Sequence, residues 1–256
     1  MDQPWEKGSV DFSEREVWIP HGERRVFGKM YVPGTRGTCR AVIMSHGYNG
    51  CHKDFQEEGR YFASHGILAL AIDFCGGSAV SRSSGDSRDM TVFTEKEDLL
   101  AVFDFVKGME ETQDDGIFLF GGSQGGLVTA LAAEERRDAA GLILYYPAFN
   151  IPDDWRKRYP REEDIPEGLD FWDLPLGKGY FTSIRTLEPM KEIGGFRNRV
   201  LIIHGADDVI VPLSYQIQAQ RIYEDAQLTI WPKEGHGFSP KRQAEGARLA
   251  LYFMQS

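Results

Sequence analysis

A chain of 256 residues, 41% of them hydrophobic, is long enough to bury a sizeable core in one large α/β domain or two small ones. Its net charge of −10, from 29 Lys and Arg against 39 Asp and Glu, repels phosphate backbones and anionic lipid surfaces, so neither nucleic acid nor membrane is expected as a partner. The opening MDQPWEKGSVDFSEREVW lacks the basic start and apolar stretch of a leader, and Cys39, Cys51 and Cys75 form neither a paired framework nor a C-x-x-C, which points to a soluble, cytoplasmic chain without a metal centre.

Short apolar runs alternate with longer amphipathic ones, the pattern of strands joined by crossover helices into a mostly parallel sheet. REVWIP and RRVFGKMYVP read as an antiparallel hairpin at the sheet edge. Central strands are predicted at 41–47 (AVIMSHG), 67–74 (ILALAIDF), 116–122 (GIFLFGG), 141–147 (GLILYYP), 200–205 (VLIIHG) and 226–232 (AQLTIWP), each ending in glycine, proline or a polar turn. Helical spacing is predicted over 56–65, 94–107, 124–136, 213–224 and 240–254, as in Leu99, Val102, Phe103 and Val106. From Ala148 to Asn198 the alternation lapses, and a structureless loop that long does not suit a compact domain. That stretch holds Pro152, Pro160, Pro166, Pro175 and Pro189 and the aromatics Trp155, Tyr159, Phe171, Trp172, Tyr180 and Phe181. It is expected to be an inserted cap (148–198) over a site at the strand ends, the core comprising 1–147 and 199–256; the alternative is a polar linker whose rings serve only as anchors.

In GIFLFGGSQGGLVTALAAEE (116–135), Gly121-Gly122-Ser123-Gln124-Gly125 fits G-x-S-x-G between an apolar strand and a helix-forming run, the context the motif requires. A serine on so tight a turn is expected at strained backbone angles with its hydroxyl projecting above the sheet. Gly121 and Gly125 clear the space where a Cβ would collide as helix crosses strand, and the Gln124 N–H at the helix start suits an oxyanion. A phosphate loop competes, but neither G-x-x-x-x-G-K-[ST] nor G-x-G-x-x-G lies here. A serine nucleophile needs a histidine to take its proton and a carboxylate to orient that histidine. His21 falls in a turn, His52 and His65 before or on the first helix, and His46 and His204 at strand ends in His-Gly pairs. His236, in the polar loop KEGHGF between the last strand and the last helix, is the expected base. VLIIHGADDVIVP offers both Asp207 and Asp208 as the acid, and serine, aspartate, histidine is the chain order of one known triad architecture.

Together SHGYNG, GGSQGG, HGADDVIVP and GHGF resemble the α/β-hydrolase superfamily, and over nearly its whole length the chain is similar to the bacterial feruloyl and cinnamoyl esterases of that superfamily. The resemblance implies an α/β-hydrolase fold, a mostly parallel central sheet flanked by helices with an inserted cap. It implies a serine carboxylester hydrolase with Ser123 as nucleophile, His236 as base and Asp208, the fifth residue of H-G-x-x-D-x-x-V-P, as acid. The H-G-aromatic turn falls on His46, Gly47 and Tyr48, so the Tyr48 N–H would join that of Gln124 in an oxyanion hole and His46 would be structural. The segment IPEGLDFWDLPLGKGYF is similar to the cap of these esterases, with Trp172 at the matching aromatic position; Trp172, Phe171 and Tyr180 are expected to form a slot for a planar hydroxycinnamoyl group. Two departures bear on the substrate: Gly122 stands where the family usually has histidine, which opens space beside Ser123, and DFCGGSAVSRSSGD replaces a loop that usually reads D-x-x-G-H-G. The expected partner is a small-molecule ester, with no cofactor and no metal, and a homodimer is left open. The alternatives are a peptidase or amidase of the same fold, although no anchor for a peptide terminus stands out, and a non-catalytic binding protein, which the presence of all three triad residues disfavours.

Overall fold

The computed structural model describes residues 5, 6 and 8–256; the first four residues and Lys7, part of the amino-terminal stretch in which no leader is expected, lie outside the described residues. The hairpin forms as expected from β1 (Phe12–His21) and β2 (Arg24–Pro33), turning at Gly22 with φ +58°. Strands and helices then alternate through β3 (Cys39–Ser45), α1 (Gln56–Ser64), β4 (Leu68–Asp73), α2 (Val92–Lys107), β5 (Thr112–Gly122), α3 (Gln124–Glu135) and β6 (Gly141–Tyr145). Where the alternation lapses there follow α4 (Ile151–Arg158), an antiparallel ribbon of β7 (Gly168–Phe171) and β8 (Leu174–Gly177), α5 (Lys178–Ser183) and α6 (Pro189–Glu192). The chain finishes with β9 (Val200–Gly205), α7 (Leu213–Ile222), β10 (Ala226–Trp231) and α8 (Pro240–Gln255).

Among the described residues one eight-stranded sheet has the order β1-β2-β4-β3-β5-β6-β9-β10, antiparallel at β1, β2 and β4 and parallel from β4 onward. Its central strands read as unbroken apolar runs because both faces are covered. Ile43, Leu119, Leu142 and Ile202 pack toward Leu99, Val102 and Phe103 of α2 and Leu127 of α3. One residue along each strand, Val42, Phe118, Ile143 and Ile203 face Phe62 of α1 and Ala247, Ala250 and Met254 of α8. Parallel strands deliver their carboxyl ends to one edge of the sheet, and the loops after β3, β5, β9 and β10 gather there. Among the described residues no helix is long and apolar enough to cross a membrane.

Helix α2 begins at Val92, two residues before the predicted start at 94, because Thr91 caps it: its hydroxyl accepts the Thr94 N–H at 3.0 Å and the Thr94 hydroxyl accepts the Thr91 N–H at 2.8 Å. Residues 148–198 are held together by rings, with Trp155 edge-on to Phe171 at 5.0 Å and to Phe181 at 4.6 Å. The ribbon turns through Trp172 (φ +44°) and Asp173 (φ +61°), two left-handed residues as a two-residue hairpin demands, though neither is the glycine or asparagine that takes those angles most cheaply.

A buried polar chain links three helices. Glu95 of α2 accepts the Gln124 side-chain N–H at 2.8 Å, and the Gln124 side-chain oxygen accepts the Tyr180 hydroxyl of α5 at 2.7 Å. Burial pushes the Glu95 carboxyl up to about 8, so the native state keeps a proton that the unfolded chain releases. Stability that Glu95 leaves intact below about pH 4 is therefore lost progressively as pH rises toward 8. Glu95→Gln removes that slope, so its Tm relative to the unsubstituted protein should climb between pH 5 and pH 8; a pH-independent difference would refute the assignment. A second measurement tests the glycines. A Cβ on Gly125 would lie 2.2 Å from the His46 carbonyl oxygen, whereas one on Gly179 in α5 would meet nothing within 4 Å. Gly125→Ala should cost about 1 to 3 kcal/mol or more, and Gly179→Ala should be neutral or stabilise by up to about 1 kcal/mol, both read from denaturant melts.

Candidate active site

Ser123 joins β5 to α3 at φ 53° and ψ −122°, an orientation costly for any residue with a side chain. Neighbouring backbone holds it there. Its N–H donates to the Tyr145 carbonyl at 3.0 Å, and its carbonyl accepts the N–H of Gly126 and of Ala148, each at 2.9 Å. A Cβ on Gly121 would stand 2.3 Å from the Gly125 carbonyl oxygen, the expected collision of helix with strand. For Gly125 the collision is with the end of β3, at the Ser45 and His46 carbonyls, rather than with β5.

His236, in the loop between β10 and α8, reaches Ser123 Oγ through Nε2 at 2.9 Å and Asp208 Oδ2 through Nδ1 at 2.8 Å. Of the two aspartates left open by the residues alone, Asp208 faces the histidine with its side chain fully buried, and Asp207 is exposed. Burial opposes ionisation of Asp208, but the hydrogen bond from His236 and the N–H groups of Val211 and Ile210, each at 2.9 Å to Oδ1, outweigh it and hold the carboxyl below its ordinary value. An ionised Asp208 places the ring proton on Nδ1, which leaves Nε2 to accept the serine hydroxyl.

The turn after β3 lies against the serine. Burial holds His46 neutral, and its ring braces the turn: Nδ1–H donates to the Gly47 carbonyl at 2.7 Å and Nε2 accepts the Phe74 N–H at 3.0 Å. A Cβ on Gly47 would sit 3.1 Å from Ser123 Cβ. Among the described residues the Tyr48 and Gln124 N–H groups have no acceptor, so two backbone donors next to the serine are free. The Tyr48 hydroxyl donates to the Phe171 carbonyl at 2.7 Å; Asn49 donates to the Trp172 carbonyl and accepts the Ala79 N–H, both at 3.0 Å. His204 is buried, its Nε2–H on the Val211 carbonyl at 3.0 Å.

Two cavities meet at Ser123. One, of about 350 Å³, is walled by Trp155, Phe171, Trp172, Tyr180 and Ile210, so the three rings named from the sequence come together on it. Trp172, 58% exposed, stacks on Phe171 at 4.7 Å and 17°; Tyr180 is buried with its hydroxyl proton committed to Gln124. The other cavity, of about 360 Å³, is bordered by His236, Gly122, Tyr146 and Glu58. Sequence reasoning named Trp155 only among the aromatics of the 148–198 stretch and not as a wall of the slot, and it missed Glu58, which looks like any acid of a surface helix. Cys51, His52 and Asp73 offer ligand atoms within 4.8 Å of one another, but burial pushes the Cys51 thiol up, away from the thiolate a metal needs, and Asp73 Oδ1 already accepts His52 Nδ1–H at 2.8 Å.

A family model described as serine aminopeptidase, S33, matches residues 37–165. Caffeoylshikimate esterase of Arabidopsis thaliana is 31% identical over 143 residues, which is 54% of this chain but only 41% of the length of that relative. The solved structure of Est1E from Butyrivibrio proteoclasticus with ferulic acid bound superposes with a TM-score of 0.83 at 26% identity, covering 93% of this chain and 99% of that one. Acetyl xylan esterase 1 from Thermoanaerobacterium sp. superposes at 0.71 with 19% identity over 96% of this chain and 87% of its own, a likeness of fold alone. A family model that takes in half of the chain, joined to a parallel sheet with a strained serine turn at its strand ends, makes this protein an α/β hydrolase of the serine aminopeptidase S33 family.

Proposed function

We propose that the protein is a serine carboxylester hydrolase working by acyl transfer on hydroxycinnamoyl or similar aryl esters. The observation that carries this reading is the unbroken hydrogen-bonded run from Asp208 through His236 to Ser123, set where two cavities meet. Ser123 Oγ attacks the ester carbonyl while His236 Nε2 takes its proton, and Asp208 stabilises the imidazolium that forms. The carbonyl oxygen, now negative, accepts the free N–H groups of Tyr48 and Gln124. His236 then returns the proton to the alcohol oxygen, the C–O bond breaks, and water repeats the sequence on the acyl-enzyme.

Proton delivery assigns the cavities. The alcohol oxygen must lie within hydrogen-bond reach of Nε2, so the alcohol belongs in the cavity that His236 borders and the acyl group in the one that Gln124 borders. The stacked Phe171 and Trp172 there suit a flat acyl group, in keeping with the ferulic acid bound to Est1E and the caffeoyl ester in the name of the Arabidopsis relative. The family description favours an aminopeptidase instead, and a matched aryl ester and amide compared by kcat/KM separate the two.

Ser123→Ala and His236→Ala should each lower kcat by roughly 10⁴-fold or more with little change in Tm, and Asp208→Asn by roughly 10³ to 10⁴-fold. Asp207→Asn should be mild, and the opposite ranking of the two aspartates would refute the triad. A fluorophosphonate should label Ser123; absence of labelling in the folded protein would favour a binding protein over an enzyme. Trp172 presents a free ring face worth about 1 to 2 kcal/mol to a flat ligand, so Trp172→Ala should cost roughly 10-fold in kcat/KM for methyl ferulate and little for p-nitrophenyl acetate. Equal losses on both esters would mean that the ring only pins the ribbon in place.

A further inference from the structure

The first turn of α3 carries more than the serine. Gln124 follows Ser123, and its backbone N–H is one of the two beside the serine that, among the described residues, have no acceptor. Its side chain is buried and bound at both ends: Nε2–H donates to Glu95 Oε2 of α2 at 2.8 Å, and Oε1 accepts the Tyr180 hydroxyl of α5 at 2.7 Å. Glu95 and Tyr180 are buried too, and Tyr180 walls the acyl cavity beside Gln124. An amide gripped from two other helices cannot turn, so the Cα of Gln124 and the peptide that joins it to Ser123 are held with it. Packing alone does not call for an acid at position 95, because a buried carboxyl costs stability that an apolar residue of similar volume does not. Such a cost is expected where a group serves a site.

We infer that Glu95 is a positioning residue for the reaction: by gripping the Gln124 side chain it holds the Gln124 backbone N–H in line for the oxyanion, and through Tyr180 it ties that donor to the wall of the acyl cavity. This role rests on the reading of Ser123 as nucleophile and of the Gln124 N–H as an oxyanion donor. The charge on Glu95 decides whether the grip helps. A neutral carboxyl accepts the amide proton without adding charge, whereas a carboxylate one side chain away from the developing oxyanion repels it across a medium that screens poorly. Burial, joined by Asp98 one turn further along α2, outweighs the hydrogen bond from Gln124 and pushes the Glu95 carboxyl up to about 8. Around it, burial also pushes up the phenols of Tyr180 in α5 and of Tyr48 in the turn after β3, so both stay neutral. Asp98 is met by His21 and Arg24 of the hairpin, and Lys96 of α2 pairs with Glu135 of α3. Glu95 is thus mostly neutral at pH 7 and mostly ionised at pH 9, and the oxyanion should be held well at the first and poorly at the second.

The test follows kcat and KM for phenyl acetate between pH 7 and pH 9.5, with circular dichroism at each pH to exclude loss of folded protein. In the unsubstituted protein kcat should fall roughly 10-fold to a lower plateau with its midpoint near 8, the size expected of a charge repulsion through a partly screened interior. KM should hold within about 2-fold, because the weakened contact is made only in the transition state. Glu95→Gln offers Gln124 the same acceptor without a titration, so its kcat should show no such fall. Glu95→Leu removes the acceptor and should lower kcat roughly 10-fold at pH 7, a loss that glutamine at the same position should largely restore. Tyr180→Phe releases the other end of the amide and should lower kcat several-fold on the same small ester; it serves as the second variant should Glu95→Leu not fold. A trifluoromethyl ketone, whose reversible adduct with Ser123 carries the same oxyanion, should bind more weakly by similar factors in both variants. An alkaline fall that persists in Glu95→Gln would overturn the role, as would unsubstituted kcat in Glu95→Leu and Tyr180→Phe or losses confined to KM. Those results with Ser123 still labelled by a fluorophosphonate would sink this role alone, whereas no cleavage and no labelling would sink the esterase reading and this role with it.

Discussion

The local constraint on which the site depends is the close approach of three backbones around Ser123. The end of β3, the last residues of β5 and the first turn of α3 come so near that positions 121 and 125 admit no side chain. That contact forces Ser123 into its left-handed conformation, and the hydrogen bonds to Tyr145, Gly126 and Ala148 keep it there. The same approach sets the turn at Gly47 and Tyr48 against the serine, where among the described residues two backbone N–H groups have no acceptor. A nucleophile-like hydroxyl and the donors beside it are thus consequences of one packing event. The tightly packed sheet beneath is what makes the strain sustainable.

Four acids with buried side chains, Asp73, Asp208, Glu58 and Glu95, fall into two chemical states according to the donors that surround them. Asp208 and Asp73 each collect backbone N–H groups and a histidine N–H, and these hold their carboxyls below the ordinary range despite burial. Glu95 has one amide donor and, among the described residues, Glu58 has no partner of good geometry, so burial prevails and both are pushed up to about 8. Histidines sort in the same way. His46 and His204, which end strands in the interior, are held neutral by burial and act as rigid spacers under the loops, which leaves His236 to face the serine.

What was legible in the sequence follows from burial on both faces. Central strands covered on each side are largely apolar along the covered stretch, and β3, β4, residues 116–122 of β5, β6 and β9 stood out for that reason, whereas the exposed polar stretch near the start of β5, Gln113 to Asp115, did not. The serine turn was legible because its glycines have no use in a core, and His236 because glycine flanks it in a polar loop. Asp208 could not be separated from Asp207 on residue chemistry, since the difference is made by two amides that fold back onto Asp208 alone. The start of α2 was misplaced because its cap pairs two threonines, without the glutamate that usually signals such a box. Elements within 148–198 were hidden because short, half-exposed pieces carry too few turns to show a period. Glu58 and Glu95 escaped notice entirely, since an acid on a helix reads the same whether it faces solvent or a cavity.

Two hydrogen bonds, from the Tyr48 hydroxyl to Phe171 and from Asn49 to Trp172, tie the tip of the β7–β8 ribbon to the turn that lies against Ser123. Asn49 also holds the Ala79 N–H, so three distant segments share one small joint. On the reading proposed above, such a joint would link order at the ribbon tip to order in the backbone donors at the serine, and any free energy of coupling would be the same read in either direction. A flat molecule seated under Trp172 would thereby tighten the grip on negative charge at Ser123, and negative charge there would tighten the seat. Selectivity for a ligand and stabilisation of charge would then be one property of this fold, carried by the hydroxyl of Tyr48 and the amide of Asn49.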